Sequence, residues 1–130
     1  MRLFSAIIVI LCLGGCATKT SMLNAPLDAG RSQTFSSDYD TVVKAARDAL
    51  MSSGLAIDDA SEVSNKTFVI LAKKGSSAWS AGELVRVTVQ EVNESETTVR
   101  VYTKRKVTWQ LMAKGDWADT VLSNIALQLR

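Results

Sequence analysis

Past residue 33 the apolar positions fall into two regimes, one repeating at the helical period and one alternating at the strand period. Thr34-Phe35 marks a short first strand. Ser37 then reads as an N-cap with Asp40 three residues on, a variant of the capping box. Tyr39, Val42, Val43, Ala46 and Leu50 share one helical face, with Asp40, Lys44, Arg47 and Asp48 away from it. Ser52-Ser53-Gly54 stops this helix, and Gly54 suits the left-handed position that follows many helix ends. A short strand is expected over Leu55 to Asp58, with a connector through Asn65. Thr67 to Ala72 is apolar on both parities, so a strand there is central or covered on both faces. Leu84 to Val92 alternates, Asn93 to Glu96 turns, and Thr97 to Trp109 alternates again, with a bend expected near Arg105. Asp116 as N-cap and Asp119 at N3 open a second helix, which buries Ala118, Val121, Leu122, Ile125 and Leu129.

One apolar sheet face and two amphipathic helices satisfy each other in two layers. The expected class is α+β: an antiparallel four- to five-stranded meander with two helices on one face, in the order β-α-β4-α, and the other face wet. This order resembles the TATA-binding-protein-like class and the helix-grip domains of envelope lipoproteins. The resemblance is one of element order, which carries fold and not function.

The start of the chain has a different pattern. Arg2 precedes an apolar run from Leu3 to Leu13, shorter than the roughly 17 to 25 residues that span a bilayer, and the run ends in two glycines. The four residues Leu13-Gly14-Gly15-Cys16 resemble the lipobox of bacterial lipoproteins. That resemblance implies a diacylglyceryl group on the thiol of Cys16, removal of residues 1–15 as a signal peptide, and acylation of the new amino group with a fatty chain such as palmitate. Two or three chains hold a protein stably on a bilayer. Ala17 and Thr18 stand where an Asp tends to retain Gram-negative lipoproteins in the inner membrane, so the implied address is the periplasmic face of the outer membrane, with the inner membrane as the alternative. Residues 16–33 are small and polar without a sustained period and include the single proline, Pro26. They are expected to be a flexible tether, with an end-to-end distance of roughly 20 to 25 Å. Residues 34–130 form a single domain.

Composition removes whole classes of function. Loss of Arg2 with the signal leaves 14 basic against 13 acidic side chains, too balanced to recruit nucleic acid in bulk. Cys12 leaves with the signal and Cys16 is committed to acylation, so the body carries no disulfide. The chain has no histidine, which removes the usual metal ligand and the usual general base. No metal, no cofactor and no catalytic residue is expected, and the reading is non-enzymatic.

Candidate binding residues gather on the expected wet face and at one sheet edge. Arg86, Arg100, Tyr102, Lys104 and Lys106 fall on the outward parity, and Lys73, Lys74, Trp79 and Trp109 join the lysines at the edge. Such a surface suits anionic head groups, a polyanionic polymer or an acidic partner. The plainer account makes the lysines solvated guards against edge pairing and Trp109 a core residue. The sequence therefore points to a membrane-anchored periplasmic accessory that binds another envelope protein or polymer. The alternative is a module for a lipid-like or anionic small ligand. The broadest resemblance is to small bacterial lipoproteins of unknown function.

Overall fold

The computed structural model describes residues 19–75, 82–105 and 117–130. Within them lie α1 (Lys19–Asn24), β1 (Arg31–Phe35), α2 (Tyr39–Ser52), β2 (Ala56–Ser64), β3 (Thr67–Lys74), β4 (Glu83–Asn93), β5 (Glu96–Arg105) and α3 (Ala118–Gln128). The strands form one antiparallel sheet in the order β1-β5-β4-β3-β2. Strands β2 to β5 follow one another as a meander, and β1 closes the far edge against β5, from Arg31 opposite Val101 to Phe35 opposite Thr97. The two-layer α+β class read from periodicity is the architecture of the chain. The short helix α1 is an addition to it.

Helix α2 begins one residue later than expected, because Asp38 and not Ser37 is its N-cap. The Asp38 carboxylate accepts from the Thr41 amide at 3.1 Å and from the Thr41 hydroxyl at 2.7 Å. These bonds from Thr41 hold the carboxyl below its ordinary pKa, since each favours the ionised form. Gly54 follows the helix at φ +81°, in the left-handed conformation expected of it. At the other helix, the expected cap Asp116 lies outside the described residues. Trp117 is the N-cap and has no side-chain cap bond. Its backbone N–H donates to Thr103 Oγ1 at 3.0 Å, and its indole N–H donates to the buried Glu83 carboxylate at 3.0 Å. Arg31 on β1 donates to Asp119, which ties the edge strand to the first turn of α3.

The core lies between sheet and helices. Val85, Val87, Val89, Val99 and Val101 present one parity of β4 and β5, and all are fully buried against Val42, Ala46 and Leu50 of α2 and Val121 and Ile125 of α3. Where the helices meet, Asn124 donates to Ser53 Oγ at 2.7 Å. β-Branched valines suit both demands here, extended backbone and a close-packed face.

Strand β2 runs well past the expected Leu55 to Asp58, through what reads in sequence as a connector. Register shifts between Ile57 and Asp59 and between Glu62 and Ser64 explain the difference. Each bulge resets the inward parity, so a period-two reading loses the strand at the first one. At the following turn Lys66 adopts φ +57°, its amide donates to Glu62 Oε1 at 3.2 Å, and Tyr39 donates to the same oxygen at 3.0 Å. Burial and that carboxylate push the Tyr39 hydroxyl up to about 12.

Residues 19–33 do not read as the uniform coil expected of a tether. α1 and β1 occupy most of them, and the segment between is laid across the sheet face opposite the helices. No helix among the described residues is long and apolar enough to cross a membrane.

Candidate functional site

The outer sheet face is built from the parity that turns away from α2 and α3. Its residues form rows across the strands. Tyr102, Arg86 and Leu71 lie opposite one another on β5, β4 and β3, and Arg100, Thr88 and Val69 form the next row. Beyond them Thr98, Gln90 and Thr67 form a third, while Lys104, Leu84 and Lys73 make the row at the other end. Val69 and Leu71 are the outward half of the strand that is apolar on both parities. They are buried, and the residue that covers them is Met22 of α1, 1% exposed, which packs with Leu84 and Tyr102 as well.

Arg86 holds this cover in place. It is 2% exposed, and its Nη1 donates to the carbonyls of Met22 at 2.9 Å and Ala25 at 2.8 Å, while Nη2 donates to Pro26 at 2.6 Å. The Tyr102 ring lies under the guanidinium at 5.5 Å. A six-residue helix is too short to persist alone in water. Here the guanidinium supplies donors to carbonyls at its C-terminal end, where a cation also meets the favourable end of the helix dipole. Burial lowers the Arg86 pKa, with Tyr102 acting in the opposite sense, but arginine remains charged throughout the physiological range. No carboxylate pairs with it among the described residues, so carbonyl dipoles and a ring face take the place of water around the charge.

Arg100, one row along, repeats the device on the next part of the segment. Its Nη1 donates to the Asp28 carbonyl at 3.0 Å and to the Gly30 carbonyl at 3.5 Å. Gly30, at φ +96°, is where the chain leaves the outer face to start β1. A Cβ built there would stand 2.1 Å from the Val101 carbonyl oxygen and 2.9 Å from Tyr102 Cα. Only glycine fits that approach. Two arginines on neighbouring strands thus clamp the carbonyls of residues 22–30 to the sheet.

These contacts correct the reading of the basic face as one open surface. Arg86 is buried and spent internally, Tyr102 is its half-buried platform, and Arg100 has one arm engaged. Lys73 and Lys74 point to opposite sides of β3, as adjacent strand residues must, so they do not act together. Lys73 pairs with Asp58 at 3.6 Å, an exposed bridge that contributes little to stability. Lys104 shares a row with Lys73 across Leu84. Cys16, Trp79, Lys106 and Trp109 lie outside the described residues.

What remains open on this face is its hydroxyl-bearing end. A groove of about 160 Å³ lies there, with Thr88, Thr98, Gln90 and Arg100 in its lining and the exposed Leu27 and Val63 beside them. Between sheet and helices, by contrast, Leu50 and Ile125 are fully buried and Leu129 packs on the same cluster. Sequence reasoning missed Met22, Leu27 and Gly30, and it placed Thr88 on the outer face among the basic residues without giving it a role. Its one available signal was the two-sided apolarity of Thr67 to Ala72, which demands a cover that two helices on one face do not supply. The chain matches no known protein-family model, and no curated protein matches its sequence.

Proposed function

We propose that this chain is a membrane-anchored envelope lipoprotein, acylated on Cys16, that works as a non-enzymatic accessory binding another envelope component. Its expected address is the periplasmic face of the outer membrane. The lipobox-like Leu13-Gly14-Gly15-Cys16 supports the anchor. The observation that carries the reading further is the clamping of residues 22–30 by Arg86 and Arg100. Met22 follows Cys16 by six positions, so on this reading the acylated residue is tethered within about 22 Å of the clamped Met22. A domain of this size is about 30 Å across, so such a leash favours one orientation, with the clamped face toward the bilayer and the helices toward the periplasm. The helical layer is then the side open to a protein partner, and it carries a groove between α2 and α3 beside Lys44, Asp48 and Gln128.

The anchor is tested by Cys16→Ser, which is expected to abolish labelling by a radioactive lipid precursor and to leave unprocessed chain. Unchanged labelling would contradict acylation at this residue. The second reading, a module for a lipid-like or anionic small ligand, is favoured by one observation, the hydroxyl-lined groove on the outer face.

A further inference from the structure

We propose that this groove binds the phosphate of an anionic phospholipid, with Thr88 and Arg100 as the groups that hold it. The lipid source rests on the anchored reading above, whereas the phosphate chemistry stands on the groove alone.

Thr88 is 6% exposed, and its hydroxyl is buried with no hydrogen-bond partner among the described residues. Buried hydroxyls without a partner are rare, because desolvation is then uncompensated. Thr88 itself lines a groove large enough for a ligand group, and a rotation about its Cα–Cβ bond would turn the hydroxyl toward an acceptor seated there. Arg100 stands directly opposite Thr88 in the β4–β5 register. Its Nη1 is pinned by the Asp28 and Gly30 carbonyls, and its other guanidinium nitrogens have no partner among the described residues. Pinning one arm orients the rest of the fork before any ligand arrives, which reduces the ordering cost of binding. Thr98 adds a donor. Its hydroxyl and that of Thr34 lie 2.8 Å apart, and since one hydrogen suffices for that bond, the other is left to point elsewhere. An arginine with hydroxyl donors is the arrangement that recognises phosphate oxygens. No carboxylate is among the described residues lining the groove, so nothing there opposes an anion.

The rim selects between a free anion and a lipid. Leu27 is 64% exposed and Val63 55% exposed, and both border the groove. Apolar side chains beside an anion subsite suit the glycerol and upper acyl part of a phospholipid. Leu27 also belongs to the segment that leads back to Cys16, eleven positions earlier, so on the anchored reading the groove lies on the face that the short leash turns toward the bilayer.

The test is calorimetric titration of the full acylated protein, held in a non-ionic detergent, with dihexanoyl-phosphatidylglycerol and separately with inorganic phosphate. The phospholipid is expected to bind more tightly than phosphate. Thr88→Val should weaken it about tenfold, the loss of one hydrogen bond to a charged group. Thr88→Ser, which keeps the hydroxyl, should restore binding. The thermal midpoint of Thr88→Val should be equal or higher, because an unpartnered polar group is removed; a merely structural Thr88 would give a lower one. Equal affinity for phosphate and phospholipid would overturn the lipid assignment. No binding, or binding indifferent to Thr88→Val, would overturn the site. A short-chain lipid reaches the groove whether or not Cys16 is acylated, so the mass of the purified protein decides the anchor independently.

Discussion

Arg86→Met is expected to release residues 22–30 from the sheet while the two-layer body stays folded. The substitution keeps a long apolar stem but leaves the carbonyls of Met22, Ala25 and Pro26 without their donor. Hydrogen bonds to a charged group contribute about 1.5 to 3 kcal/mol each, and part of the loss is recovered because a buried guanidinium no longer has to be desolvated. A net loss of about 2 kcal/mol raises the open population of the segment roughly thirtyfold. Amide hydrogen exchange reads this directly: amides of residues 22–30 should exchange roughly thirtyfold faster, and those of Val85, Val87 and Val101 at their former rate. Unchanged protection of residues 22–30 would show that Met22 packing alone holds the cover.

Gly30→Ala should be more damaging than its exposed position implies. The new methyl group would meet backbone atoms of Val101 and Tyr102, which no rotamer change can move, and the residue would keep a left-handed φ. Strand β1 must then separate from β5 or both must shift, at a cost of about 3 kcal/mol or more. For a domain of this size that is a fall in thermal midpoint on the order of 10 to 20 °C. Gly54→Ala is the internal comparison: φ is also positive, but its Cβ meets only the flexible end of Lys74 at 3.5 Å. About 1 to 2 kcal/mol is expected there. Equal midpoints for the two variants would contradict the close approach at Gly30.

The contrast between these glycines shows what was legible in the sequence. Gly54 follows a periodic helix behind Ser52-Ser53, and local pattern is enough to assign its left-handed role. Gly30 is required by a strand that pairs seventy residues away, and nothing near it in sequence says so. The helical faces of α2 and α3 and the alternation of β4 and β5 were readable for the same reason as Gly54: each is a period imposed by one interface. β2 was only half readable, because its bulges change the parity that carries the signal.

The candidate site divides along the same line. Parity placed Arg86, Arg100, Tyr102 and Lys104 on one face correctly, but parity is silent about what lies over that face. The residues that cover it, Met22 to Gly30, have no sustained period because the backbone carbonyls, and not the side chains, make most of the contacts. Carbonyls are present in every sequence and mark none. The doubly apolar β3 was the clue that a cover existed, whereas Arg86, read in the sequence as one more exposed cation, is the residue that holds it.

The measurement that bears most directly on the account is depth in the membrane. The full chain, which the proposed lipoprotein reading expects to be acylated on Cys16, is given a fluorophore on Leu27→Cys or on Met51→Cys and reconstituted into vesicles containing a lipid with a quencher on its head group. Leu27 lies on the clamped sheet face and Met51 on the helical layer, and both side chains are exposed. Strong quenching at position 27 with little at position 51 is the predicted result. Equal quenching at the two positions would contradict the proposed orientation, in which the clamped face is held toward the bilayer.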